Sequence, residues 1–286
     1  MGRTVIFVHG GFHGGWCWRR VAGPLSLLGW QVFTPTLTGL GERAHLATPE
    51  LGLETHIQDL VNLFEWEELS DVLLCGHSNA GVVISAVAER IPGRIDHLMY
   101  IDALVPRSGD SVLSVIGDEQ GMPELCRQQA RDLGDGWLVP ASTLEAGYFG
   151  VTDPGDVAWV ERRLTGQPLK VIEDTVSLGA GFASIRKKTF YRCGQARASS
   201  TTRLMRELSQ DPDWETAQWD CGHDVMVTAP HLVIDAVVRA GNDIRPLTAA
   251  RAQAPWRPAR VRVTGTGFLS MSRTGQCSST ASASSR

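Results

Sequence analysis

The stretch from Asp71 to Arg90 limits what this chain can fold into more than any other. It begins with Val72-Leu73-Leu74-Cys75-Gly76, a short and nearly continuous apolar run of the kind that forms a strand buried on both faces. It ends with Val82, Val83, Ile84, Ala86 and Val87, apolar residues at helical spacing. Between the two stands His77-Ser78-Asn79, so a lone serine occupies a strand-to-helix turn. Such a turn is sharp: its central residue is forced into strained backbone angles, and the positions two before and two after must be small for the chain to pass itself. Gly76 and Ala80 meet that demand. The turn lifts the Ser78 hydroxyl above the sheet edge at a helix N-terminus, where developing negative charge is favoured. Gly-x-Ser-x-small also occurs in ordinary turns; the strand before, the helix after and two further segments raise it here.

Around this unit, apolar runs alternate with amphipathic ones. Thr4 to Val8 reads as a first buried strand, Trp18 to Leu28 as a helix, Gln31 to Pro35 as a second strand and Glu54 to Trp66 as a helix. His97 to Leu104 follows the Ser78 unit as another strand. This order predicts an α/β fold with a doubly wound, mostly parallel sheet, whose sites lie at the carboxyl ends of its strands. From Val105 to about Ile185 the alternation lapses into helical pieces (Pro123 to Leu133, Asp156 to Leu164), scattered aromatics and turn signals such as Asp153-Pro154-Gly155. A cap inserted over residues 105–185 is the simplest reading. The sheet resumes at Lys188 to Arg192, followed by a helix near Thr201 to Gln210, a short strand near Thr216 to Trp219 and a last helix from His231 to Ala240. Core residues are therefore expected at 1–104 and 186–242. The remainder, 243–286, holds seven arginines and no acidic residue beyond Asp243 and ends in Ser and Ala, a composition expected of a disordered or vector-derived tail.

At 286 residues with 43% hydrophobic content, the chain can bury a full core of this kind. A net charge of -4 gives no electrostatic case for nucleic acid or an anionic membrane. No apolar run approaches the length that spans a bilayer. Met1-Gly2-Arg3 leads straight into a strand with no leader pattern, so a cytoplasmic location is the expectation. The six cysteines (Cys17, Cys75, Cys126, Cys193, Cys221 and Cys277) lack a Cys-x-x-Cys pair, which points to reduced thiols and not to zinc or a disulfide scaffold.

A serine nucleophile needs a base within hydrogen-bond reach, a carboxylate to orient that base, and donors for a tetrahedral oxyanion. Of the eight histidines, His223 is the best base, because Gly222-His223 lies in a loop after the last strand and before the last helix. His77, beside the serine, points away from it in such a turn and is read as packed. The first strand ends in His9-Gly10-Gly11-Phe12-His13-Gly14-Gly15-Trp16, which matches neither Gly-x-Gly-x-x-Gly nor a P-loop. Bare backbone N–H groups beside a reacting centre suit an oxyanion instead. The expected donors are the N–H groups of Gly11 and Asn79, with Phe12 as the fallback. His9 and His13 are read as structural or pocket-lining, and His13, Trp137 and Phe149 as candidates for the pocket wall.

Phe7-Val8-His9-Gly10-Gly11-Phe12-His13-Gly14-Gly15-Trp16, Gly76-His77-Ser78 and Gly222-His223, in that order, resemble the α/β-hydrolase superfamily, and within it the plant methyl esterases and hydroxynitrile lyases with their bacterial esterase relatives. The resemblance runs over roughly residues 4 to 240. It implies a cap, a Ser-His-acid triad and no cofactor; the aromatic-rich, low-charge stretch over 105–185 suggests a small hydrophobic ester as substrate. Two positions depart from the family pattern. Ala80 stands where the family usually has Gly, and Cys193-Gly194-Gln195-Ala196-Arg197 holds no carboxylate where the acid commonly follows its strand. Asp102, one strand after the nucleophile, is the natural substitute and keeps the order Ser, Asp, His. Glu207, Asp220, or no acid at all are the alternatives. The lyases are expected to carry Thr in place of Gly10 and Lys in place of Asp224, so ester hydrolysis is preferred to the lyase reaction. A ligand-binding protein with weak catalysis is the third reading. A base that must be neutral predicts activity rising through about pH 6 to 7.

Overall fold

The structure, a computed structural model, describes residues 3–118 and 121–243. The tail assigned to 243–286 lies, beyond Asp243, outside the described residues, as does Cys277. Six strands form one sheet: β1 (Thr4–Val8), β2 (Gln31–Phe33), β3 (Val72–His77), β4 (Ile95–Ile101), β7 (Lys187–Cys193) and β8 (Trp214–Trp219). Their order is β2-β1-β3-β4-β7-β8 and every pairing is parallel. β1 and β3 are buried at every residue, as their unbroken apolar runs require of central strands covered on both faces.

Helices α1 (Arg19–Leu27), α2 (Leu53–Trp66), α3 (Ala80–Arg90) and α9 (Ser199–Leu208) belong to the sheet's connections, and the one-turn α10 (Val225–Thr228) and α11 (Pro230–Asp243) follow its last strand. α3 is buried along almost its whole length, packing on α2 and against β3. The segment between β4 and β7 leaves the sheet. It carries α4 (Val112–Ile116), α5 (Met122–Leu133), α6 (Pro154–Glu161), α7 (Leu169–Glu173), α8 (Ala180–Ala183) and a two-residue antiparallel pair of β5 (Leu138–Val139) with β6 (Gln167–Pro168).

Some boundaries differ from the sequence expectation. β4 starts two residues earlier, at Ile95, and stops at Ile101, which places Asp102 immediately beyond its carboxyl end. β8 starts at Trp214, two residues before the expected Thr216. Its Glu215 and Gln218 are exposed because the strand lies at the sheet edge, so no apolar run announces its first half. β2 ends at Phe33 and does not reach Pro35, a residue without an N–H to give to a ladder.

Candidate active site

Six non-glycine residues in the described chain have positive φ, and three of them gather at the carboxyl ends of the central strands: Phe12 (64°), Ser78 (55°) and Asp102 (43°). Non-glycine residues are uncommon in this region, and holding them there costs about 1–3 kcal/mol each. Ser78 is held from both sides. Its carbonyl accepts the N–H groups of Gly81 at 3.1 Å and Leu104 at 3.0 Å, and its own N–H donates to Ile101 at 3.4 Å. The crowding of the turn falls on Gly76, as expected, and on Gly81 where Ala80 is expected. A Cβ on Gly81 would lie 2.1 Å from the Leu104 carbonyl oxygen and one on Gly76 2.9 Å from Ile84 Cδ1, while Ala80 carries its methyl group buried. Gly81, where α3 passes the exit of β4, is thus the obligatory glycine after the serine.

His223 sits between β8 and α10 and is 8% exposed. Its Nδ1 donates to Asp102 Oδ2 at 2.6 Å. The Asp102 side chain is fully buried, and its Oδ1 accepts the Cys193 N–H at 3.2 Å. Burial opposes the charge of Asp102, but the His223 hydrogen bond and the Cys193 N–H outweigh it and hold the carboxyl below its usual value. The other carboxylates considered are engaged elsewhere: Glu207 pairs with Arg107 at 3.3 Å and Arg203 at 3.6 Å, and exposed Asp220 accepts from the Gln195 amide at 3.0 Å. His77 is packed, and it also holds the His223 backbone. Its Nε2 donates to the His223 carbonyl at 3.0 Å, and burial together with the neighbouring His223 lowers its pKa to about 3. The Cys193 thiol reaches the same carbonyl at 3.9 Å. Nothing in the sequence order signals these two supports, because both contacts join segments far apart in the chain.

The glycine loop is fixed by side chains on either side of Gly11. His9 Nδ1 donates to the Gly10 carbonyl at 2.8 Å while its Nε2 accepts the Leu37 N–H at 3.0 Å. His13 Nδ1 donates to the Gly11 carbonyl at 2.7 Å and its Nε2 to Asp224 Oδ2 at 3.0 Å. The Phe12 N–H donates to Gln167 Oε1 at 3.3 Å, so the fallback donor is taken. The N–H groups of Gly11 and Asn79 have no acceptor among the described residues.

Ser78, Asp102, His223, Gly11, Phe12 and Asn79 line one cavity. The rest of its wall is mostly apolar, with Leu113, Ile116, Met122, Leu144, Phe149 and Ile172 from the segment between β4 and β7. Of the three residues expected to line it, Phe149 does. His13 is instead buried between Trp16 and Phe149, with ring centroids at 5.3 and 5.0 Å, and half-buried Trp137 lies outside the lining. Among the described residues no group of three or more His, Cys, Asp or Glu side chains could hold a metal ion.

The sequence profile described as the alpha/beta hydrolase family matches residues 5–236. The chain is 36% identical over 246 residues to a carbendazim hydrolyzing esterase of Nocardioides sp. (strain SG-4G), a match covering 83% of this chain and 99% of that protein. It is 27% identical to putative methylesterase 14, chloroplastic, of Arabidopsis thaliana, over 73% of this chain and 64% of that one. Among solved structures, an extracellular alpha/beta-hydrolase from a Paenibacillus species superposes with a TM-score of 0.71 at 20% identity, covering 83% of this chain and 98% of that one. Methylesterase MES16 from Arabidopsis gives 0.63 at 16% identity, covering 84% and 99%.

Proposed function

The chain belongs to the alpha/beta hydrolase family, and from that premise we propose that it is an esterase that cleaves a carboxylic ester through an acyl-enzyme on Ser78. Ser78 Oγ attacks the ester carbonyl while His223 Nε2 takes its proton, and Asp102 holds Nδ1–H and stabilises the imidazolium that forms. The oxyanion accepts the N–H groups of Gly11 and Asn79 at the N-terminus of α3. Collapse expels the alcohol, which receives the proton from His223. Water then attacks the acyl-enzyme by the same route in reverse, releasing the acid.

The observation that carries this reading is the 2.6 Å contact of His223 with Asp102 beside Ser78 in one cavity. The apolar wall suits a small hydrophobic ester, and the esterase and methylesterase names of the relatives agree with that class. The lyase alternative is disfavoured sterically as well as by residue type. A Cβ on Gly10 would stand 2.8 Å from the Ser78 Cβ and 3.0 Å from His77 Nδ1, leaving no place for the threonine that reaction is expected to use. A cytoplasmic site of action goes with this reading, since the five described cysteines are free and buried.

The test is covalent labelling. A fluorophosphonate should phosphonylate Ser78, located by peptide mass, and labelling should collapse in His223→Ala. A probe that marks another residue, or none, contradicts the assignment and favours a binding protein.

A further inference from the structure

His13 and Asp224 form a buried pair with no part in the steps above. Their side chains are 1% and 0% exposed, and Nε2 lies 3.0 Å from Oδ2. A neutral imidazole has one donor and one acceptor nitrogen. His13 presents both nitrogens to oxygens that accept, the Gly11 carbonyl and the Asp224 carboxylate. Only the doubly protonated ring satisfies both while Asp224 is ionised. His9, four residues earlier, makes the contrast: one nitrogen faces a carbonyl and the other an N–H, which suits a neutral ring. Burial disfavours charge at His13, but the charge and hydrogen bond of Asp224 overcome it and raise the pKa, while burial takes His9 down to about 3.

The position of the pair gives it a consequence. A run of glycines has no side chains of its own to fix its peptide planes. His9 holds the carbonyl before Gly11 and His13 holds the one after it, so the orientation of the Gly11 N–H is set between two imidazoles. Asp224 follows His223 directly, and its N–H donates to the Phe149 carbonyl at 2.9 Å. The pair therefore joins the glycine loop, the loop of the base and the pocket wall. Asp224 Oδ1 has no hydrogen-bond partner among the described residues, so the His13 contact is the carboxylate's main compensation.

We infer that His13, held as an imidazolium by Asp224, is a positioning residue that sets the Gly11 N–H in register with the base and the Ser78 oxyanion. The inference rests on the ester reading above, in which Gly11 is an oxyanion donor. A misaligned donor lowers transition-state stabilisation and leaves ground-state binding intact.

The test compares His13→Gln, Asp224→Asn and the double variant His13→Phe/Asp224→Asn, the last of which strands no buried charge. Fluorophosphonate titration counts competent sites, so that a poorly folded fraction does not enter kcat. With p-nitrophenyl butyrate, kcat per site should fall about 10- to 100-fold in the double variant, with KM within about twofold. The inhibition constant of an alkyl trifluoromethyl ketone, which forms an oxyanion on the serine, should rise by the same factor as kcat falls. Asp224→Asn alone should retain kcat within about fivefold, because an amide donor satisfies Nε2 and leaves Nδ1–H on the Gly11 carbonyl. In the wild-type protein, the ¹⁵N signals of both His13 ring nitrogens should be those of an imidazolium at neutral pH. A neutral His13 ring, an unchanged kcat per site in the double variant, or a loss confined to KM would each overturn the inference alone. Wild-type protein without Ser78-dependent turnover would overturn the ester reading and this role together.

Discussion

Two imidazole–carboxylate pairs lie in adjacent parts of this molecule, and they differ in whether the ring lines the cavity. His223 meets Asp102 at 2.6 Å, His13 meets Asp224 at 3.0 Å, and both carboxylates are fully buried. His13 spends its other nitrogen on the Gly11 carbonyl and is shut away from the cavity. His223 lines the cavity together with Ser78. A carboxylate beside a histidine therefore does not make a base. On the proposed reading, the same contact orients a base in the ring that lines the cavity and fixes a cation in the ring whose other nitrogen meets a second acceptor.

The comparison breaks if the two pairs respond alike to substitution. The largest effect is expected for His223→Ala, which should cut kcat by about 10⁴-fold or more, as removal of a triad base does. Asp102→Asn should lower kcat by about 10³-fold with KM little changed, because the amide offers the wrong partner to Nδ1–H. Glu207→Gln and Asp220→Asn, measured beside it, should remain within about twofold, since both are surface groups with other partners. An Asp102→Asn variant as active as these would return the orienting role to another carboxylate. Gly10→Thr should lower the stability by about 1–3 kcal/mol through overpacking against Ser78 and His77, read from the denaturant midpoint at unchanged slope.

The smallest effect is expected in the pH dependence of stability, and it sharpens the contrast. His13 is raised above its ordinary 6.5, so its contribution is complete below that value and lost as pH climbs through the folded pKa. Asp224 is held below its ordinary 3.8: burial opposes the charge, but His13 prevails, so this contribution is present above that value and lost as pH falls through the folded pKa. The gap in Tm between wild type and His13→Phe/Asp224→Asn should be widest between about pH 4 and 6.5 and should narrow on either side. A gap that does not change with pH would mean that the pair carries no charge.

The parts of the fold legible in the sequence are those governed by local pattern. The apolar runs of β1 and β3 and the spacing along α2 and α3 mark buried strands and amphipathic helices without tertiary information. Ser78 is legible for the same reason, since its strained angle is written in the small residues around it. Asp102 was recoverable only from strand order, and β4 ends one residue before it. The Asp224 pair was not legible, because its partner lies 211 residues away and no local rule joins them. A second histidine in a glycine loop is the available signal, and it suggests a structural or pocket-lining residue without naming a partner. The pocket wall was least accessible. Trp137, Trp159 and Phe149 look alike in sequence, yet only Phe149 reaches the cavity, while Trp159 packs on Trp16 and between Arg20 and Arg163. In a segment built of short helices, burial against the cavity and burial against the segment's own neighbours leave the same apolar trace.

The most direct measurement is the initial rate of p-nitrophenyl butyrate hydrolysis by the purified protein and by Ser78→Ala, side by side. Turnover by the wild type that disappears in the variant is the expected result and establishes Ser78 as the nucleophile of an esterase. A variant that matches the wild type would contradict the assignment, and a wild-type protein that binds the ester without turning it over would leave a pocket without the chemistry assigned to it.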